Sequence, residues 1–426
     1  MKRLKRNNPQ YHHAILLLLL SCFTPISEAQ KSDLFEFLPV SESSASLTPN
    51  FENKAVHPIR LNERISENDV GDLVNLTLPN GRSLPVEINK KWTTDNGDVQ
   101  LVGRFSGDGS AVITIGKNSV FANFNSLKHN YGIGLDINKQ PFLIDHKAAG
   151  NTINLGDDMR FPEEGAARKH KAKKARNATA DNKSIITLLA IYSPEFANGF
   201  SNNPVTRINQ MIAFTNQAYE RSGIHIEITL ASAQKISFSN SDSTNNLLDQ
   251  VTNGVNAFST VPELRNEFSA DMVAVLPFRN GNSVSGIAWI NGDNARYSYS
   301  VSQFAVWGSD SVFAHELGHN MGSGHERIAV NSSQNFPCSG GYTGFSCGHG
   351  SGSRGTIMSY LDDASWGYVF SNPALSCRGQ PCGASEGQTN SADNRRSFNI
   401  TGPLVEKFRG GSNNAYLMPI YPLLLE

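Results

Sequence analysis

The run His315-Glu316-Leu317-Gly318-His319-Asn320-Met321-Gly322-Ser323-Gly324-His325 gathers three imidazoles and a carboxylate into one short stretch. On a helix, His315 and His319 are four residues apart. They then lie on one face, one turn apart, and both rings reach a single ion. Asp310 or Ser309 can cap that helix, and Ala314, Leu317 and Met321 fall on the side that packs inward. Gly322 ends it, because glycine tolerates the left-handed conformation. A sharp turn then brings His325 to the same ion as third ligand. Three neutral imidazoles with one open position describe a catalytic Zn2+ site, not a closed structural one. Such an ion lowers the pKa of its water and polarises a carbonyl. Glu316, next to the first ligand, is the candidate general base that takes the water's proton and passes it to a leaving amine. Five positions are fixed in the pattern, so chance gives it in roughly one chain of this length in ten thousand.

A helix of this kind needs a scaffold, and the flanking sequence supplies one. Ile185 to Tyr192 is a near-continuous apolar run, which reads as a buried strand. Pro204 to Ser222 has helical spacing, with Ile208, Met211, Ile212, Thr215 and Tyr219 on one side and Gly223 as a stop. Ile224 to Ala231 alternates as a strand, Leu247 to Phe258 reads as a second helix, and Met272 to Leu276 as another buried strand. Gly286-Ile287-Ala288-Trp289 is a short strand. Strands alternating with helices indicate an α/β arrangement for residues 183–410, with 411–426 left as a C-terminal tail.

Residues 30–150 differ in kind. Val99 to Gly103, Ala111 to Ile115 and Val120 to Phe124 are short apolar stretches separated by turn signals such as Asn96-Gly97, which reads as a β-rich domain. Residues 151–182 are a basic linker, with Arg168 to Arg176 rich in Lys and Arg, and this is the candidate maturation site. Residues 1–29 read as an export signal: a positive start at Lys2, Arg3, Lys5 and Arg6, an apolar run from Ala14 to Leu20, and Ser27-Glu28-Ala29 for cleavage. The apolar run is too short to span a bilayer, which takes about 20 residues. Stable membrane insertion is therefore not expected, and the localisation read is secreted. From Lys183 onward 14 Lys and Arg face 18 Asp and Glu, so no basic nucleic-acid face is expected. Cleavage after Ala29 leaves Cys338, Cys347, Cys377 and Cys382, an even number in an exported chain. Of their three possible pairings, local bonds Cys338–Cys347 and Cys377–Cys382 are preferred.

The pattern HExxHxxGxxH resembles the metzincin signature, whose members carry a methionine turn downstream. Gly355-Thr356-Ile357-Met358-Ser359-Tyr360 is similar to that turn, with Met358 as an apolar floor beneath the metal. The strand Ile185 to Tyr192, the edge-like Gly286 to Trp289, and Phe370-Ser371-Asn372-Pro373 with the helix after Asn394 resemble bacterial reprolysin-like (adamalysin-related) peptidases, some of which cleave before aspartate. The β-rich segment around Gly103-Arg104-Phe105 resembles their propeptide. This resemblance implies a metzincin catalytic domain with a twisted mixed sheet and an active-site helix, an irregular lower subdomain after Gly322, and a β-rich propeptide domain ahead of it. It implies a secreted zinc metalloendopeptidase made as a zymogen, with protein or peptide substrates and its own propeptide as partners. Gly286, Ile287, Ala288 and Trp289 would pair with extended substrate. Glu326 and Tyr360 depart from the snake-venom type and are similar to astacins; Tyr360 is a candidate zinc ligand or transition-state donor. Arg354 is a candidate for acidic specificity. The prosegment has no cysteine, so its zinc-blocking group would be an Asp or Glu carboxylate. The competing readings are a catalytically degenerate secreted binding or adhesion protein with the same fold, and a zinc hydrolase acting on a non-peptide amide or ester.

Overall fold

A computed structural model describes residues 31–39, 55–105, 107–126, 128–135, 139–148, 159–162, 183–278, 285–303, 310–326, 345–361, 366–388 and 390–409. The export signal, the basic run of the linker and the C-terminal tail lie outside these.

Two sheets organise the described residues. The first uses β1 (Lys31–Asp33), β2 (Phe35–Phe37), β3 (Val56–Leu61), β4 (Leu73–Thr77), β5 (Ser83–Thr93), β6 (Val99–Phe105), β7 (Gly109–Ile115), β8 (Val120–Asn125), β9 (Asn130–Leu135) and β10 (Pro141–Asp145). Their order is β1-β4-β5-β6-β7-β8-β9-β10-β3-β2. Apart from the parallel pair β1/β4, neighbours run antiparallel, as short connections between consecutive strands require. One face is a closed core that includes Val74, Val86, Leu101, Ile113 and Phe124.

The second sheet follows β11 (Met159–Arg160) and β12 (Ser184–Tyr192). After α1 (Pro194–Gly199) and α2 (Pro204–Arg221) come β13 (Ile226–Lys235), α3 (Thr244–Asn253), α4 (Val261–Glu267), β14 (Met272–Leu276), β15 (Gly286–Trp289) and β16 (Tyr299–Ser302). The order is β11-β15-β16-β14-β12-β13. It is a mixed sheet: β12, β13, β14 and β16 run parallel, and β15 is antiparallel to β16. β12 is apolar on both faces because both are covered. Ile186, Leu188 and Ala190 join the core under α2, while Leu189 and Ile191 join the core under α3. The helix α5 (Asp310–Asn320) packs on the α2 side through Phe313, Ala314, Leu317 and Met321. Burying a Phe or Leu side chain this fully stabilises the fold by about 1.5–3 kcal/mol. Beyond α5 are the two-residue pairs β17 (Gly350–Ser351) with β18 (Arg354–Gly355) and β19 (Ser376–Cys377) with β20 (Gln380–Pro381), then α6 (Asn394–Val405). No helix among the described residues is long and apolar enough to cross a membrane.

Two expectations change. The second helix stops at Asn253, short of Phe258, because Gly254 takes a left-handed cap at φ +60° while Ser243 caps the start. The linker is not structureless throughout. Met159 and Arg160 pair in parallel with Ala288 and Trp289, so the edge strand β15 carries another strand on its outer side. A two-residue strand has no periodicity to read, and its partner lies about 130 residues away.

The two sheets meet across α2. Asn209 donates from Nδ2 to Asp98 Oδ2 (3.0 Å) and Asn96 Oδ1 (2.8 Å), and Gln210 Nε2 donates to Val112 O (3.1 Å) and Asn123 Oδ1 (2.7 Å). Gln100 Nε2 donates back to Asn209 O at 2.9 Å. Val102 and Val112 pack on Ala213, and Phe121 and Leu135 enter the core beneath α2.

Candidate metal centre

His315 and His319 sit one turn apart on α5, as expected from their spacing, and Gly322 takes φ +92° just past the helix end. The chain reverses there, and His325 returns to the same point. His325 Nε2 stands 3.1 Å from His315 Nε2 and 3.1 Å from His319 Nε2. All three rings are buried, and one ligand nitrogen from each lies within 4.8 Å of the others.

The proton positions follow from the far side of each ring. His315 Nδ1 faces Ile357 O at 2.6 Å, and His319 Nδ1 faces Ser323 O at 2.7 Å. A carbonyl oxygen only accepts, so both Nδ1 atoms carry the proton and both Nε2 atoms present lone pairs. Two lone pairs thus converge on His325 Nε2, and one proton there cannot serve both. A cation between the three resolves the conflict. Zinc held tetrahedrally at about 2.0–2.1 Å from each nitrogen needs them about 3.3 Å apart, close to the 3.1 Å observed. The donor set and its spacing therefore fit a metal ion, and a nitrogen-rich set suits zinc.

Glu316 is fully buried beside the first ligand. It lies against β15: a Cβ built on Gly286 would stand 2.1 Å from Glu316 Oε1, so any side chain there would push the carboxylate aside. Met358 is buried beneath α5, where a Cβ on Gly318 would come within 2.3 Å of its sulfur. The same turn supplies the Ile357 carbonyl to His315, so it sets ring orientation as well as packing. Tyr360 lies with its ring centroid 4.0 Å from that of His325. Its backbone N–H donates to Glu326 Oε2 at 2.9 Å. Burial raises the Glu326 carboxyl above its ordinary pKa, against the hydrogen bonds from the Tyr360 backbone and Ser359. Arg354 is exposed on the β17/β18 hairpin.

Gly286, Ile287, Ala288 and Trp289 form β15 as expected, but with β11 alongside rather than an open edge. Cys377 and Cys382 are disulfide-bonded. Cys347 is also disulfide-bonded, while Cys338 lies outside the described residues, as does Ser309. Asp310 is the first residue of α5 and pairs with Arg207 of α2, 2.5 Å apart and buried on both sides.

Sequence reasoning missed Asn320. It lies buried after the second histidine, and its Nδ2 donates to Trp289 O and Tyr299 O, each at 3.0 Å. This fastens α5 to β15 and β16. Asn394, named above only as the start of the closing helix, donates from Nδ2 to Ser323 Oγ at 2.6 Å, and its Oδ1 accepts from Ser371 Oγ at 2.9 Å. A polar residue beside a ligand was the available signal for Asn320.

Residues 183–388 match the family model described as metallo-peptidase family M12B, reprolysin-like. This part of the chain, a little under half of it, is similar to reprolysin-like metallopeptidases. A peptidyl-Asp metalloendopeptidase of Pseudomonas aeruginosa is 30% identical over 251 residues, 53% of this chain and 40% of that protein. One of Xanthomonas campestris pv. campestris is 24% identical over 267 residues, 59% of this chain and 61% of that protein. The chain thus spans between 40% and 61% of the length of these two curated relatives. Among solved structures, metalloproteinase-II from Bacteroides fragilis aligns with a TM-score of 0.40 at 12% identity, covering 69% of this chain and 88% of that one.

Proposed function

We propose that the chain is an exported, zinc-dependent metalloendopeptidase made as a zymogen, with His315, His319 and His325 as metal ligands and Glu316 as general base. The observation that carries this reading is the convergence of Nε2 lone pairs at 3.1 Å beside a buried carboxylate. Zinc held there by the three imidazoles would supply Lewis acidity. Glu316 would take a proton from the attacking water and deliver it to the amine that leaves. The β15 backbone holds extended substrate by strand addition, and Gly286 keeps the space in front of Glu316 clear. Tyr360, tilted against His325, is placed to steady the charge that develops on the carbonyl oxygen. A preference for aspartate, which the relatives' name states of them, is extended here to this chain.

The zymogen part rests on β11. Met159 and Arg160 lie where substrate would pair, and Ile290 N–H donates to Arg160 O at 2.8 Å. Residues 30–150 then act as propeptide domain and the basic run 168–176 of the linker as the maturation site. Digests of casein and of a peptide library by intact and linker-cleaved protein test both parts. Zinc-replete wild type that cuts neither substrate rejects the peptidase reading. Equal rates before and after linker cleavage reject the zymogen.

A further inference from the structure

The side chain of Arg160, in the linker, docks on the catalytic segment. Its Nη1 is 2.5 Å from Asp249 Oδ1 on α3, and its Cζ is 4.6 Å from the centroid of the Trp289 ring on β15. Trp289 is held from behind: its Nε1 donates to Thr252 Oγ1 at 2.8 Å, and its ring meets Tyr297 edge-on at 5.1 Å. A carboxylate and a fixed indole face therefore form a cation site on the α3 side of the sheet. Both walls of that site belong to the catalytic segment, while the cation comes from the N-terminal segment. When β11 leaves, the walls stay.

We infer that Asp249 and Trp289 form a substrate subsite for a basic side chain, arginine ahead of lysine, which Arg160 fills in the precursor. This rests on the reading of β15 as the substrate edge. A strand laid on β15 projects alternate side chains to opposite faces, and residues directly opposite share a face. Arg160 faces Trp289 in register, so a substrate residue at the same register enters the same site whichever way its chain runs. Trp289 is three residues from Gly286, the position against Glu316, and a strand rises about 3.3 Å per residue. The subsite is thus about 10 Å along the strand from the general base, some three residues from the bond that is cut. Arginine is favoured because its planar guanidinium stacks on the indole while its N–H groups reach the carboxylate. The side chains of Arg160 and Asp249 keep 31% and 47% of their surface exposed, so the preference is modest, about ten-fold.

The test is a peptide-library digest with linker-cleaved protein, reading the residue enrichment at every position within five of the cut. Wild type and Asp249→Glu are expected to enrich Arg over neutral residues about ten-fold at one position two to four residues from the cut. Asp249→Asn brings that ratio near one, and Asp249→Lys turns it toward Asp and Glu. Cleavage by wild type with no basic enrichment in that window, or an enrichment that Asp249→Asn leaves intact, overturns the subsite and leaves the peptidase reading standing. If wild type cuts no peptide, the peptidase reading itself falls and the subsite with it.

Discussion

Two buried polar regions meet the helix pair α2/α5, and they are built on opposite principles. Across the seam between α2 and the N-terminal sheet, Asn209, Gln210 and Gln100 find donors and acceptors on the other side. At the end of α5, two Nε2 lone pairs point at a third ring nitrogen whose single proton cannot serve both. The first region pairs its amide nitrogens within the protein, with Gln210 Oε1 the exception, so it holds surfaces together. The second brings together three nitrogens that could hold a metal ion. Buried polar groups cost free energy unless they are paired, and the way each region meets that cost separates adhesion from catalysis.

The largest effects should come from the second region. Glu316→Ala should lower kcat/KM of the linker-cleaved protein by about 10²–10⁴-fold, the range for a lost general base, with folding intact by circular dichroism. Retained activity would show that the carboxylate beside β15 is not the base. Next is the buried pair that joins α2 to the start of α5. Arg207→Met leaves Asp310 charged and unpaired, and should lower the precursor's stability in urea unfolding by about 3–5 kcal/mol. An effect under about 1 kcal/mol would mean that the pair does not couple the seam to the metal helix. Gln210→Ala breaks seam contacts alone. It should destabilise the precursor by about 1–3 kcal/mol, and a equal loss in linker-cleaved protein freed of its N-terminal part would show that the contacts across the seam are not what it supplies.

The seam should also sense acid. His146, at the end of β10, sits over Gly132. Burial and the nearby Arg207 push its pKa down to about 4, while Asp145 pulls the other way. The folded protein therefore binds the proton less readily than the unfolded chain, whose histidines titrate near 6.5. That stability is fully present above about 6.5 and is lost as pH falls toward 4. Since the residue keeps some solvent access, the loss should be about 1–2 kcal/mol. Thermal melts of wild type and His146→Gln between pH 7 and 4.5 check it: the wild type should lose more, and parallel curves would remove His146 from the account. The smallest effect belongs to the exposed pair of Lys90 and Glu220, at the rim of the same seam. Glu220→Ala should change stability by no more than about 1 kcal/mol, less in high salt; a larger change would mean that the rim carries the docking.

The metal centre was readable because its parts lie close in sequence. Helical spacing puts His315 and His319 together, and Gly322 permits the turn that returns His325. The strands of both sheets were readable where they are apolar, as in β12 and β14. The seam was not. The apolar face of α2 was marked by Ile208, Met211, Ile212 and Tyr219, which implied that Asn209 and Gln210 face solvent. They are buried instead, because a second domain covers that side with matching polar groups. The β11/β15 pairing was hidden for a related reason: two residues carry no pattern, and their place is set by a partner distant in sequence.

The brevity of β11 has a kinetic side. Two residues of strand make a weak ligand, and added to a dilute solution as a peptide such a segment would scarcely compete with substrate. Here it is tethered. The seam and its attachment to the N-terminal sheet keep it beside β15 at an effective concentration in the millimolar range. In the zymogen reading, a cut in the basic run lets β11 leave together with the N-terminal sheet. Dilution comes when the seam opens, and then the weak grip of two residues lets the edge clear at once.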